Sequence, residues 1–71
     1  MELVLSRKGI PAFDSRYDIF KSLKGFEVHA IDESMPTDWP EYLWSVSYFS
    51  TYRKARAFVK SEIAMEIEDL G

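Results

Sequence analysis

The last third of the chain sets the terms for everything before it. Between Ser50 and Leu70 no glycine or proline intervenes, and Tyr52, Ala55, Val59, Ile63, Ile67 and Leu70 recur at steps of three and four. At ~100° per residue these side chains fall within roughly 120° of one another, the stripe by which a helix lies on a core. Ser50 and Thr51 offer an N-cap. In a chain of 71 residues, so long a rod needs a surface to lie on, and the upstream residues have to supply it.

Residues 1–71 are expected to form a single small α+β domain. A chain of this size buries only about 60% of the surface its unfolded form exposes, so its core has to be rich. Aromatics at 15% and hydrophobics at 46% make it so. Cysteine is absent, which removes disulfide staples and thiolate metal sites and suits a reducing, cytoplasmic setting. No basic region with an apolar run behind it opens the chain, and no apolar stretch is long enough to span a bilayer, so neither a signal peptide nor a membrane segment is expected. A net charge of −3 argues against a nucleic-acid backbone as main partner, since that affinity comes from cations neutralising phosphates.

Read in order, Glu2–Ser6 is a short strand with Leu3 and Leu5 on one face, ended by Gly9 and Pro11. Ser15 opens a helix through Ser15-x-x-Asp18, a capping-box pattern, with Ile19, Phe20 and Leu23 as its apolar face and Gly25 as its terminator. Phe26, Val28 and Ala30 alternate with Glu27 and His29 in a second strand. Asp32 to Glu41 is an acidic loop without a base. Tyr42 to Phe49 alternates with period two, which favours a third strand over an upstream extension of the last helix. The expected order is β-α-β-β-α: a three-stranded sheet with both helices on one face and a right-handed crossover between the first two strands.

Few residues carry recognisable chemistry. His29 has Glu27 beside it on one strand face, a pairing that suits a general base but equally a solvent-facing histidine. One histidine and no cysteine exclude the usual zinc sites within one chain. The acidic loop lacks the EF-hand pattern, with Thr37 and Leu43 where glycine and glutamate are needed. The three glycines, at 9, 25 and 71, form no phosphate loop, and no nucleophile elbow is present. No catalytic residue, cofactor or metal is therefore assigned.

The junction Ser47-Tyr48-Phe49-Ser50-Thr51-Tyr52-Arg53-Lys54-Ala55, with Phe58 after it, resembles the strand, Phe-Ser step and helix that close many small bacteriophage-encoded accessory proteins. The resemblance covers about a dozen residues and brings no catalytic residues. It implies an accessory factor that binds a host protein.

The charges of the last helix oppose its dipole. Arg53, Lys54, Arg56 and Lys60 occupy its first half, while Glu62, Glu66, Glu68 and Asp69 crowd its end. No opposite pair stands at i,i+4, and Glu62 and Glu66 are a like pair at that spacing. The sheet beneath or a partner has to compensate. Away from the core stripe, Phe58 and Met65 lie on one line with Ser61 between them. Two antiparallel copies crossing at Ser61 would set Phe58 against Met65, and Lys54 against Glu68 or Asp69, as a two-fold homodimer requires. The alternative is that Phe58 and Met65 pack within one chain.

These residues support a non-enzymatic protein-binding module acting by surface contact, and the phage resemblance implies that it is an inhibitor or modulator of a host protein or defence complex. Asp38, Trp39 and Glu41 are its candidate contact residues, a lone Trp ringed by charge suiting a hot spot; Trp39 folding back onto the core edge is the competing placement. Lys54, Phe58, Ser61, Met65 and Asp69 are the candidates for self-association. The alternative function is a small nucleic-acid-binding module using Arg53, Lys54, Arg56 and Lys60, with Arg7 and Lys8.

Overall fold

The computed structural model describes residues 1–71. Strands β1 (Glu2–Lys8), β2 (Ser15–Ser22), β3 (Gly25–Asp32) and β4 (Leu43–Phe49) form one antiparallel sheet in the order β1-β2-β3-β4, and helix α1 (Tyr52–Leu70) closes the chain. Short 3-10 turns at Pro11–Phe13 and Pro40–Tyr42 lead into β2 and β4. The architecture is a four-stranded meander with one helix on one face, which corrects the expected three-stranded, two-helix arrangement and its crossover.

The difference lies in Ser15–Gly25. Tyr17 and Ile19 point to the helix side and are 1% and 0% exposed, while Arg16, Asp18 and Phe20 take the opposite face. That is a period of two, masked by apolar Phe20 on the outer face. Leu23 and Lys24 are the two-residue tip of a hairpin between Ser22 and Gly25, and Leu23 is fully exposed. Gly25 has φ +144°, and a Cβ there would collide with the Phe49 carbonyl. The glycine that resembles a helix terminator is required by the hairpin and by the close approach of β4.

Two irregularities re-aim side chains. Val4 has no partner between Leu3↔Phe20 and Leu5↔Ile19, so Leu3 and Leu5 do not share a face as alternation alone implies. Trp44 has none between Leu43↔Ile31 and Ser45↔Ala30.

Tyr17, Ile19, Val28 and Ala30 from the central strands meet Ala55 and Val59 of α1, with Leu5, Phe26, Phe49, Tyr52, Phe58 and Ile63 around them. The expected stripe holds through Ile63, but Ile67 and Leu70 are more than half exposed, because the last turns of α1 overhang the sheet. Thr51 caps the helix, its Oγ1 accepting from the Lys54 N–H at 3.2 Å. On the other face, nearly buried Asp18 accepts from Ser6 Oγ at 2.6 Å and from Arg16 Nε and Nη2 at 3.2 Å each. Arg16 also reaches Glu33 at 3.1 Å, and these charge-assisted bonds tie β1 and β2 to the residue that follows β3. No helix is long and apolar enough to cross a membrane.

Candidate functional site

The overhang of α1 leaves a cleft of about 580 Å³ between its second half and one end of the sheet. Phe13 enters from the first 3-10 turn, Ser15 and Tyr17 from β2, Ile31 and Asp32 from β3, Glu41 from the second 3-10 turn, and Trp44 from β4. Helix α1 adds Glu62, Met65, Glu66 and Asp69. The bulge is what allows Trp44 to line this cleft, since strict alternation would set it on the same face as Val46 and Tyr48.

Glu66 fixes the helix over this end. Its carboxylate accepts from Ser15 Oγ at 2.8 Å to each oxygen, from the Tyr17 hydroxyl, and from the Ile10 backbone N–H at 3.1 Å. Gly9 makes room, because a Cβ there would collide with Ser15 Oγ and the Glu66 carboxylate. The loop reaches this position through Gly9 N–H donating to Ser15 O at 2.9 Å and through left-handed Asp14, φ 49°. The unfavourable placement of Glu66 near a helix C-terminus is thus offset by three donor groups, Ile10 from the β1–β2 connection and Ser15 and Tyr17 from β2. Burial, then the hydrogen bond to Glu66 and the negative charges of Glu66 and Glu62, push the Tyr17 phenol well above the ordinary tyrosine range, so it remains a donor.

The electrostatics of the cleft are one-sided. Asp32, Glu41, Glu62, Glu66 and Asp69 line it, and no lysine, arginine or histidine does. Between them stand Phe13, Tyr17, Trp44 and Met65. No three acidic or histidine side chains converge closely enough to hold a metal ion. Carboxylates spread around an aromatic floor instead suit an organic cation, whose charge is attracted both by the acids and by the faces of the rings.

A second, smaller depression of about 330 Å³ flanks the other side of α1, along β1. Leu5, Val59 and Ile63 form its floor and Arg7, Arg56 and Lys60 its walls, with no acid among them.

The residues singled out in the sequence separate on the structure. Glu41, Met65 and Asp69 enter the acidic cleft. Trp39 is half exposed where the second 3-10 turn begins, and neither it nor Asp38 lines the cleft. Phe58 is part-buried, its ring 5.1 Å from that of Phe49. It is spent on its own core, so the expected line of Phe58 and Met65 retains only Met65 as an exposed apolar side chain. Lys54 and Ser61 are exposed. His29 lies on the opposite sheet face, 3.1 Å from Glu27 and with its ring tilted by 51° against that of Phe20 at 4.6 Å, outside the cleft. Reading the sequence missed Phe13, Ser15, Tyr17, Ile31, Asp32, Trp44, Glu62 and Glu66 as site residues. One signal was present: on the helical wheel Glu66 falls at about 320° from Tyr52, inside the core stripe, and a carboxylate there demands donors.

Comparison with known proteins gives no match to any protein-family model, curated protein or solved structure.

Proposed function

We propose that this chain is a non-enzymatic protein-binding module that takes a basic segment of a partner protein into the cleft between α1 and the sheet, and modulates that partner by contact. The observation that carries the reading is the lining itself: five carboxylates and no base around Phe13, Tyr17 and Trp44. The cleft volume lies within the ~300–1,000 Å³ of ligand sites, enough for a long cationic side chain with its aliphatic stem. An arginine side chain fits best, since a planar guanidinium both stacks on an aromatic face and bonds carboxylates in pairs. Glu66 already has three protein donors and Asp32 accepts from the Ser34 N–H and hydroxyl, which leaves Glu41, Glu62 and Asp69 as the free acceptors at the rim.

The test is a fluorescence titration of a Trp39→Phe chain, in which Trp44 is the remaining indole, with an arginine-rich peptide and with an acidic peptide of equal length. Saturable change with the basic peptide alone, weakened by salt and by Glu62→Lys, is the expected result. Equal response to both peptides, or none to either, would reject the reading.

The cationic depression along β1 favours a second reading, a site for an anionic polymer such as nucleic acid. Arg7, Arg56 and Lys60 converge there, though Arg53 and Lys54 do not line it. Its signature is affinity for single-stranded DNA that falls steeply with salt and is lost with Arg56→Glu.

A further inference from the structure

We infer that two copies of this chain associate through β4, antiparallel about a two-fold axis at Val46, to form one continuous eight-stranded sheet. The two edges of the sheet are built differently. The outer strand β1 carries Glu2, Arg7 and Lys8 and a bulge at Val4, the devices by which edges resist pairing. Strand β4, Leu-Trp-Ser-Val-Ser-Tyr-Phe, has no charged residue, glycine or proline; its own bulge at Trp44 sits at its start and leaves Ser45–Phe49 in regular register, and Tyr48 is 73% exposed.

Backbone direction and side-chain order select the same axis independently. The Ser22–Gly25 hairpin and the Glu33 N–H to Asp14 O bond fix which residues of β3 bond to β2. By alternation, Phe26, Val28 and Ala30 turn their backbone groups to β4, where Phe49, Ser47 and Ser45 receive them. Val46 and Tyr48 therefore aim N–H and C=O away from the sheet. The sequence of β4 is also self-complementary about Val46. A two-fold there sets Val46 opposite Val46 of the second copy and Ser45 opposite Ser47, with the same Ser pair returned on the other side, as an isologous interface requires.

Charge fits the same operator. Asp38 and Glu41 precede β4, and Arg53 and Lys54 follow it. Antiparallel pairing brings the acidic lead-in of each copy to the basic helix start of the other, twice. This also answers the charge pattern of α1, whose first-turn cations have no acidic partner within their own chain. The interface uses Lys54 as a contact but not the Phe58–Met65 line.

The test is light scattering over rising concentration together with amide exchange of the full chain. The expected mass is twice 8.3 kDa, with the outward amides of Val46 and Tyr48 protected in step with dimer formation. Tyr48→Lys, at a site too exposed to support the core, returns the mass to that of one chain. Asp38→Lys and Lys54→Glu each raise the dissociation constant several-fold, and the two together restore it, because the pair is reversed rather than lost. A single-chain mass at every concentration overturns the inference. So does a dimer that Tyr48→Lys leaves unchanged, which would place the contact on another face, or outward β4 amides that exchange freely in the dimer.

Discussion

The two sides of α1 offer opposite chemistry from one element. On the side toward β3 and β4, the second half of the helix overhangs the sheet and adds Glu62, Glu66 and Asp69 to Asp32 and Glu41 around an aromatic floor. On the side toward β1, its first half and middle bring Arg56 and Lys60 beside Arg7 over an apolar floor. The residues of one helix are sorted by charge along its length, and the sheet's position beneath it turns that order into two separate surfaces. The lesson is that an acid placed unfavourably for an isolated helix is tolerable when the fold gives it a receiver, as it does Glu66.

The strongest way to break this contrast is to remove the receiver. Glu66→Ala leaves the Ser15 and Tyr17 hydroxyls and the Ile10 N–H without their acceptor, and is expected to cost about 3 kcal/mol in a urea melt. It should loosen the cleft end in amide exchange while the Arg7–Arg56–Lys60 side keeps its protection. Ser15→Ala removes one donor rather than the shared acceptor, and its expected cost is about 1 kcal/mol.

Alkaline titration separates the two sides next. The Tyr17 phenol is raised above its ordinary value of 10.0 in the folded chain. Between that ordinary value and the folded one the unfolded chain loses the proton first, so it binds fewer protons than the folded chain. The stability contributed by the neutral phenol is therefore fully present below about pH 10 and is lost as pH rises through the folded value. Tyr17→Phe is expected to lower stability at neutral pH and to flatten this alkaline decline, whereas Arg56→Gln leaves the decline as it is. A decline unchanged in Tyr17→Phe would remove Tyr17 as its source.

Smaller effects belong to the other end of the helix. Thr51→Ala withdraws the acceptor from the Lys54 N–H and should cost about 1 kcal/mol in thermal or urea unfolding, without changing binding at the acidic cleft.

Much of this contrast could be read before the fold was known, and the exceptions have physical causes. The last helix, its Thr51 cap, the strands over Glu2–Ser6, Phe26–Ile31 and Tyr42–Phe49, and the acidic loop all follow from local pattern. Ser15–Gly25 did not, because Phe20 on the outer face blurred the two-residue period while Ser15, Asp18 and Gly25 imitated helix punctuation. Placing a helix there removed Tyr17 and Ile19 from the sheet, so the floor of the cleft was invisible. Trp44 was hidden for a different reason: a bulge is a tertiary irregularity that alternation does not announce. Of the cleft, Glu41, Met65 and Asp69 were in view individually. What joins them is the overhang of α1, which depends on where the sheet ends.

If the proposed reading holds, the cleft accepts an organic cation and the opposite side of the helix does not. Mapping backbone amide shifts while titrating an arginine-rich peptide tests it most directly. Shifts are expected to concentrate at Phe13, Tyr17, Trp44 and residues 62–69 and to saturate together, with Leu5, Arg7 and Lys60 still. Shifts centred on the β1 side, or scattered over the surface without saturation, would contradict it.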